Sequence, residues 1–229
     1  MTSSSVGLAA VRRRIAAAAA RAGRDSAQVR LIGVTKGIDP GRVLQALAGE
    51  HDVELGENKV QELISKMRAL EGGPLDVTWH FVGSLQRNKV RDVVGNVALI
   101  HSVDSVRLAE AIGRQARSRG LVQDVLLEVN TSGESSKHGV SPGDALEVAT
   151  AIVGLDGVAP MGLMTIAAPG GEDAARDSFA LLRELRDRIA TRHQGVKELS
   201  MGMSSDFEVA IAEGATMVRI GTAIFGPRA

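Results

Sequence analysis

The sequence predicts an α/β fold: a single (β/α)8 TIM barrel preceded by an extra N-terminal helix. Three observations predict it. Short apolar runs rich in strand formers alternate with helical stretches along nearly the whole chain. The runs are apolar throughout rather than alternating apolar and polar, as in parallel sheets covered on both faces. Eight such units within a 229-residue chain fit a small barrel. An open doubly wound sheet is the alternative arrangement of the same units. No linker, low-complexity segment or proline-rich boundary interrupts the pattern, so residues 1–229 are expected to form one domain.

The first element is a helix over residues 1–24. Leu8, Val11, Ile15 and Ala18 or Ala19 mark one face, and Ser3, Ser4 and Ser5 can cap its start. The absence of any acid before Asp25 also resembles a transit peptide. The cluster Arg12–Arg14 breaks a secretory apolar region, and the regular apolar face favours a helix packed on the barrel of a cytoplasmic protein. Strands follow at 29–36, 52–57, 77–83, 98–103, 122–130, 158–166, 197–203 and 216–221. Between them helices are expected at 42–48, 60–70, 88–94, 106–119, 142–153, 172–192 and 205–213. Pro142 suits a first helical turn, where its missing N–H costs nothing. Ser205 and Glu208 have the spacing of a capping box.

Composition excludes several function classes. Lys+Arg and Asp+Glu are both 27, so no general electrostatic footprint for nucleic acid exists, and aromatics are only 2%, too few for base stacking. With no cysteine, thiolate chemistry and cysteine metal sites are impossible. The five histidines, His51, His80, His101, His138 and His193, have no metal-binding spacing, so no metal is expected. No segment has the length and apolarity of a membrane span.

In a barrel the strand C-terminal ends share one mouth. Lys36 stands at the first of them, either a solvated strand end or a positioned amine. Later come Gly202, Met203, Ser204 and Ser205 at the end of the seventh strand, and Gly221 and Thr222 at the end of the eighth. Small residues let main-chain amides approach an anion, and hydroxyls add donors. The loops after strands seven and eight are the usual phosphate site of this fold. The same glycines could merely relieve crowding, with the serines as caps. A lysine and an anion site across one mouth suit a phosphorylated aldehyde, and pyridoxal phosphate (PLP) carries both groups. Arg219 could face the pyridine nitrogen, or pair with Glu57 or Asp104. Against that nitrogen a guanidinium offers only donors and stays charged, which makes the cofactor a weak electron sink.

The ordered motifs VTKG at 34–37, LGENKVQE at 55–62, WHFVGSLQRNK at 79–89, SSKHG at 135–139, MGLMTI at 161–166, LSMGMSSDFEVAI at 199–211 and MVRIGTAIFG at 217–226 resemble those of the pyridoxal phosphate homeostasis protein family. The resemblance spans nearly all of the chain after the first helix. It implies a barrel similar to that of bacterial alanine racemase, without that enzyme's second domain. By it Lys36 holds PLP as a Schiff base, Arg219 faces the ring nitrogen, Ser200, Ser204, Gly221 and Thr222 hold the phosphate, Asn58 lies near the ring, and His80 lies at the mouth.

The resemblance also implies a carrier and regulator of vitamin B6 and amino-acid balance, with PLP as ligand and apo PLP-dependent enzymes as possible recipients. The chain is expected to be a monomer with no catalytic residue. The alternative is a small PLP-dependent amino-acid racemase. Racemisation needs a base on each face of the substrate; the chain has no tyrosine, the usual second base of the racemase it resembles, and His80 could substitute only by reaching the opposite face. Lys137, in the polar loop after the fifth strand, is either a solvated lysine with no role, the more common case for an exposed lysine, or a mobile cation that draws the anionic cofactor toward or away from the primary site.

Overall fold

Leu31, Ile32 and Val34 lie in the five-residue strand β1 (Arg30–Val34), whose partners on its two sides are β2 (Asp52–Glu57) and β8 (Met217–Ile220). Those pairings close a barrel of eight parallel strands in sequence order. The others are β3 (Asp76–Phe81), β4 (Leu99–Val103), β5 (Gln123–Glu128), β6 (Val158–Met164) and β7 (Glu198–Ser200). The computed structural model describes residues 3–134 and 138–227, and of residues 3–6 only the backbone. Each observed strand overlaps its predicted range, trimmed by one to three residues at some ends.

Nine helices are described: α1 (Ser3–Arg21), α2 (Pro40–Ala46), α3 (Val60–Leu70), α4 (Val90–Val93), α5 (Val106–Ser118), α6 (Ala145–Val153), α7 (Glu172–Ala190), α8 (Phe207–Ala212) and α9 (Thr222–Phe225). Leu8, Val11 and Ile15 of α1 are buried, as their spacing predicts, and so are both Ala18 and Ala19. Each large apolar side chain buried this way contributes about 1.5–3 kcal/mol. Arg14 holds α1 to α8 by two hydrogen bonds to Glu208, at 2.9 and 3.0 Å, while its guanidinium lies 4.6 Å from the Phe207 ring centre.

Ser3, Ser4 and Ser5 lie within α1, and their expected capping role rests on side chains outside the described residues. Several local expectations are corrected. α2 begins two residues early because Asp39 caps it, accepting from the Arg42 amide at 3.0 Å with Pro40 at the first position. Pro142 lies before α6, in a turn where the Asp144 amide reaches the Ser141 carbonyl at 3.1 Å. The Ser205–Glu208 capping box does not form. Glu208 is held by Arg14, and Asp206 turns back to accept from the Met203 amide at 2.6 Å. The stretch at 88–94 splits into a 3-10 turn (Arg87–Lys89) and α4. The short α9, on which Thr222 sits, is unforeseen because four residues show no periodicity.

Aligned residues of neighbouring parallel strands face the same way. Ile32, Leu99, Leu126, Met164 and Met217 thus fill the barrel interior as a separate apolar cluster. Arg30, Glu54, Asp124 and Glu198 crowd the N-terminal end of the interior. There the Arg30 guanidinium lies 3.9 Å from Glu54 and 3.6 Å from Glu198. The C-terminal end is the mouth.

Gly83, just beyond β3, lets the β3 loop pass directly over Asn58. A Cβ there would lie 2.1 Å from the Asn58 carbonyl oxygen, and backbone cannot yield at that distance. Gly83→Ala should therefore destabilise the chain by at least about 3 kcal/mol. Urea unfolding measures this, and a loss below about 1 kcal/mol would show that the two loops are not pressed together.

Candidate functional site

The mouth is built on the turn after β1. Thr35 is fully buried, and its amide donates to the Gly56 carbonyl at 3.0 Å. Lys36 follows in the turn itself, half-buried, and pairs with no acid among the described residues. The turn is pinned from below. The Lys66 ammonium, buried on α3, donates to the Thr35 carbonyl at 2.5 Å and to Glu57 Oε1. Thr35 Oγ1 donates to the same Glu57 oxygen at 2.7 Å, and the Asn58 amide reaches Glu57 Oε2 at 3.2 Å. Glu62 accepts from the Gly37 amide at 2.9 Å, which holds its carboxyl below the usual range. Buried Glu57 and Lys66 thus fix the backbone before Lys36, and the partly exposed Glu62 fixes it after.

β8 neighbours β1, so the anion loops stand beside Lys36 rather than across the mouth from it. Gly221 is close enough to Val34 that a Cβ would meet its carbonyl oxygen at 3.1 Å. The Thr222 hydroxyl donates to Ser204 Oγ at 3.3 Å, so the β7 and β8 loops meet. Among the described residues the amides of Ser204, Ser205, Gly221 and Thr222 donate to no protein acceptor. Unpaired N–H groups converging with hydroxyls form an anion-binding concavity. Gly202 makes the turn possible. Its φ of 92° is left-handed, and a Cβ would lie 2.6 Å from that of Ala210.

Arg219 lies on the inner face of β8 and is 5% exposed. It pairs with neither Glu57 nor Asp104. Its Nη1 donates to Ser200 Oγ at 2.6 Å and its Nη2 to the Thr165 carbonyl at 2.8 Å. Burial pushes the guanidinium down to about 10, against the pull of Glu128 and Asp206, so it remains charged at neutral pH. Its remaining N–H groups have no acceptor among the described residues. Burial and the Asp104 carboxylate push the Glu128 carboxyl up.

The structure brings Lys36, Asn58, Ser204, Arg219, Gly221 and Thr222 to the mouth region, but it places Ser200 and His80 deeper. Ser200 is fully buried, with its hydroxyl on Arg219 and His101 rather than in the phosphate loops. His80 is 1% exposed and faces His101 and Glu54 within the barrel, a correction to its expected position at the mouth. The reason is that β3 turns His80 inward below the strand end. Asn58 is half-buried, and its Oδ1 is a buried acceptor without a partner among the described residues. His101 and the Glu57–Lys66 pair escaped the sequence reading. The inward register of Leu99 and His101 on β4 was the signal for the first, whereas nothing local marks the second. Lys137 lies outside the described residues. Among those residues no group of three or more His, Asp or Glu could hold a metal ion, and no helix is long and apolar enough to cross a membrane.

The model of the alanine racemase N-terminal domain family matches residues 6–229. The pyridoxal phosphate homeostasis protein of Aquifex aeolicus is 45% identical over 224 residues, covering 96% of each chain. The chain belongs to the pyridoxal phosphate homeostasis protein family. Another relative is PipY of Synechococcus elongatus PCC7942, solved with PLP bound. It is 36% identical, with a TM-score of 0.80 over 94% of this chain and all of that one. Alanine racemase of Clostridium difficile 630 shares the fold at a TM-score of 0.70 and 17% identity, over 93% of this chain and 55% of the racemase. The homeostasis family therefore uses the racemase-type barrel, and the mouth described above is its strand C-terminal end.

Proposed function

We propose that this protein binds pyridoxal 5'-phosphate reversibly at the barrel mouth and acts in the cytoplasm, as a monomer, as a carrier in PLP and amino-acid homeostasis. The observation that carries the reading is the cradle of unpaired amides and hydroxyls beside Lys36. The aldehyde and the phosphate arm of PLP are substituents of adjacent ring carbons. An amine beside an anion cradle fits that chemistry better than one across the mouth. The orphaned Asn58 Oδ1 and the uncommitted donors of Arg219 supply polar partners within the same region.

When bound, PLP supplies an electrophilic aldehyde and an electron-withdrawing ring. Lys36 supplies the amine that takes the aldehyde. Ser204, Gly221 and Thr222 hold the phosphate, and Ser200 orients Arg219 from beneath. Arg219 offers donors without an exchangeable acid near neutral pH, which keeps the electron-withdrawing power of the ring low. A carrier without turnover is also supported by the placement of His80. A racemase needs a second base facing the substrate, and the His80 ring is enclosed and engaged on both nitrogens. Recipients of the cofactor would be apo PLP-dependent enzymes.

Ser204→Ala and Thr222→Val should each weaken PLP by roughly tenfold to a hundredfold, because a hydrogen bond to a charged group contributes about 1.5–3 kcal/mol. Pyridoxal, lacking the phosphate, should bind much more weakly than PLP and be insensitive to both changes. Equal affinity for the two compounds in equilibrium titrations would overturn the cradle. Racemisation of any of several amino acids by the loaded protein, lost in Lys36→Ala, would replace the carrier reading with an enzymatic one.

A further inference from the structure

Five side chains from five strands form one line across the barrel interior. Arg219 Nη1 donates to Ser200 Oγ at 2.6 Å. Ser200 Oγ is 2.8 Å from His101 Nδ1. His101 Nε2 is 3.0 Å from His80 Nδ1, with the rings edge to face at 5.2 Å. His80 Nε2 lies 3.1 Å from Glu54 Oε2, and neither atom has a hydrogen-bond partner elsewhere among the described residues. Ser200, His101 and His80 are buried to 1% exposure or less, whereas the Glu54 side chain is 29% exposed at the N-terminal end of the barrel. The line thus runs from solvent on the side away from the mouth to the guanidinium beside the cradle.

The chemistry of the two ends restricts the protons between them. Arginine only donates, so Ser200 Oγ accepts from Arg219. A carboxylate only accepts, so His80 Nε2 carries the proton toward Glu54. Burial and the neighbouring cationic groups hold His101 well below its usual range, so it is neutral. A neutral imidazole donates from one nitrogen and accepts at the other. Two arrangements satisfy every contact. With His80 neutral, His101 carries its proton on Nε2, and the Ser200 hydroxyl donates to His101 Nδ1. With His80 protonated, His101 Nε2 becomes the acceptor, and its proton sits on Nδ1. Ser200 then accepts from both His101 and Arg219, and its own O–H points elsewhere.

We propose that Glu54, His80, His101 and Ser200 form a buried proton relay between the far end of the barrel and Arg219, so that one proton on His80 decides whether Ser200 offers a free donor beneath the cofactor site. The proton count balances. The two arrangements differ by one proton, taken up from solvent and held on His80 Nδ1: His101 keeps a single proton, moved from Nε2 to Nδ1, and Ser200 keeps its hydroxyl proton and turns it away from His101. His80 and His101 are positioning residues in this scheme, because neither touches the cofactor region. The charged groups facing the relay are Arg30 on β1, Glu54 on β2, Asp124 and Glu128 on β5, Glu198 on β7 and Arg219 on β8, while β6 contributes none. Arg30 and Arg219 oppose a proton in the interior, and the acids favour it.

The relay is tested first in the cofactor-free chain, independently of the PLP reading. Nitrogen-15 spectra of histidine-labelled protein should be recorded across roughly pH 5 to 8, where histidine ordinarily changes charge. His80→Gln and His101→Gln assign the two signals. The expected result is that His101 stays neutral throughout but exchanges its Nε2 proton for an Nδ1 proton as His80 becomes charged. A His101 tautomer that does not move while His80 titrates, or a His80 that never titrates in that range, overturns the relay. The second measurement rests on the proposed function. His80→Gln should remove one ionisation from the pH profile of the bound-PLP absorption, and His51→Gln, at an exposed histidine, should leave it. An unchanged profile in His80→Gln overturns the coupling to the cofactor site. Failure of the parent chain to bind PLP at all would instead refute the proposed function, with the tautomer result still deciding the relay.

Discussion

Lys36→Ala should abolish borohydride fixation of PLP to the protein and the long-wavelength absorption band of the loaded chain. The affinity left to phosphate and ring contacts should fall by at least about a hundredfold, on the order of 3 kcal/mol. The fold should survive, because Lys36 is half-buried in a turn and makes no ion pair among the described residues. Lys36→Arg discriminates the chemistry from the charge. It keeps a cation at the same place yet has no amine to react, so it should lose fixation as completely as alanine does. Peptide mapping after reduction locates the label. A label on another lysine, such as Lys59 or Lys89, with Lys36 unmodified would refute the assignment.

Glu57→Ala should destabilise the protein by about 3–5 kcal/mol, because it leaves the Lys66 ammonium buried without its counter-ion. In a domain of this size that corresponds to a fall in melting temperature on the order of 10 °C. Glu57 is fully buried, and among the described residues Lys66 has only the Thr35 carbonyl at 2.5 Å and Glu62 at 3.7 Å to fall back on. Glu57→Leu combined with Lys66→Met should recover most of the lost stability, since apolar replacement of a buried pair is often neutral. PLP affinity should not recover in parallel, because the Thr35 carbonyl and the Asn58 amide lose the partners that fix them beside Lys36. Urea unfolding and PLP titration of the same variants separate the two effects. A stability loss below about 1 kcal/mol in Glu57→Ala would mean that the pair is not a structural anchor, and full recovery of PLP affinity in the double variant would mean that it does not shape the site.

How much of this was legible in the chain differs between elements. The strand at Arg30–Val34 and the helix at Val60–Leu70 show directly in apolar runs and 3.6-residue spacing, since backbone hydrogen bonding and one-sided burial act over a few neighbours. A local capping signal failed at Ser205–Glu208, although the helix itself forms as α8. The capping pattern is present there, but Arg14, distant in sequence, takes the Glu208 carboxylate.

The sequence by itself determined the order of eight strands, the burial of the N-terminal helix face, the exclusion of thiolate chemistry, and the candidates Lys36 and Arg219 together with the small-residue loops around Gly202 and Gly221. Those are local properties of residue type and spacing. Only the tertiary structure decided that Lys36 stands beside the anion loops, because barrel closure sets β8 against β1. Only it decided that Glu57 belongs to Lys66 rather than to Arg219, and that His80 meets His101 instead of lining the mouth. Which charges and hydrogen-bonding groups become partners inside a barrel depends on strand register and tilt. Those are fixed by packing all eight strands at once, and no segment carries that information alone.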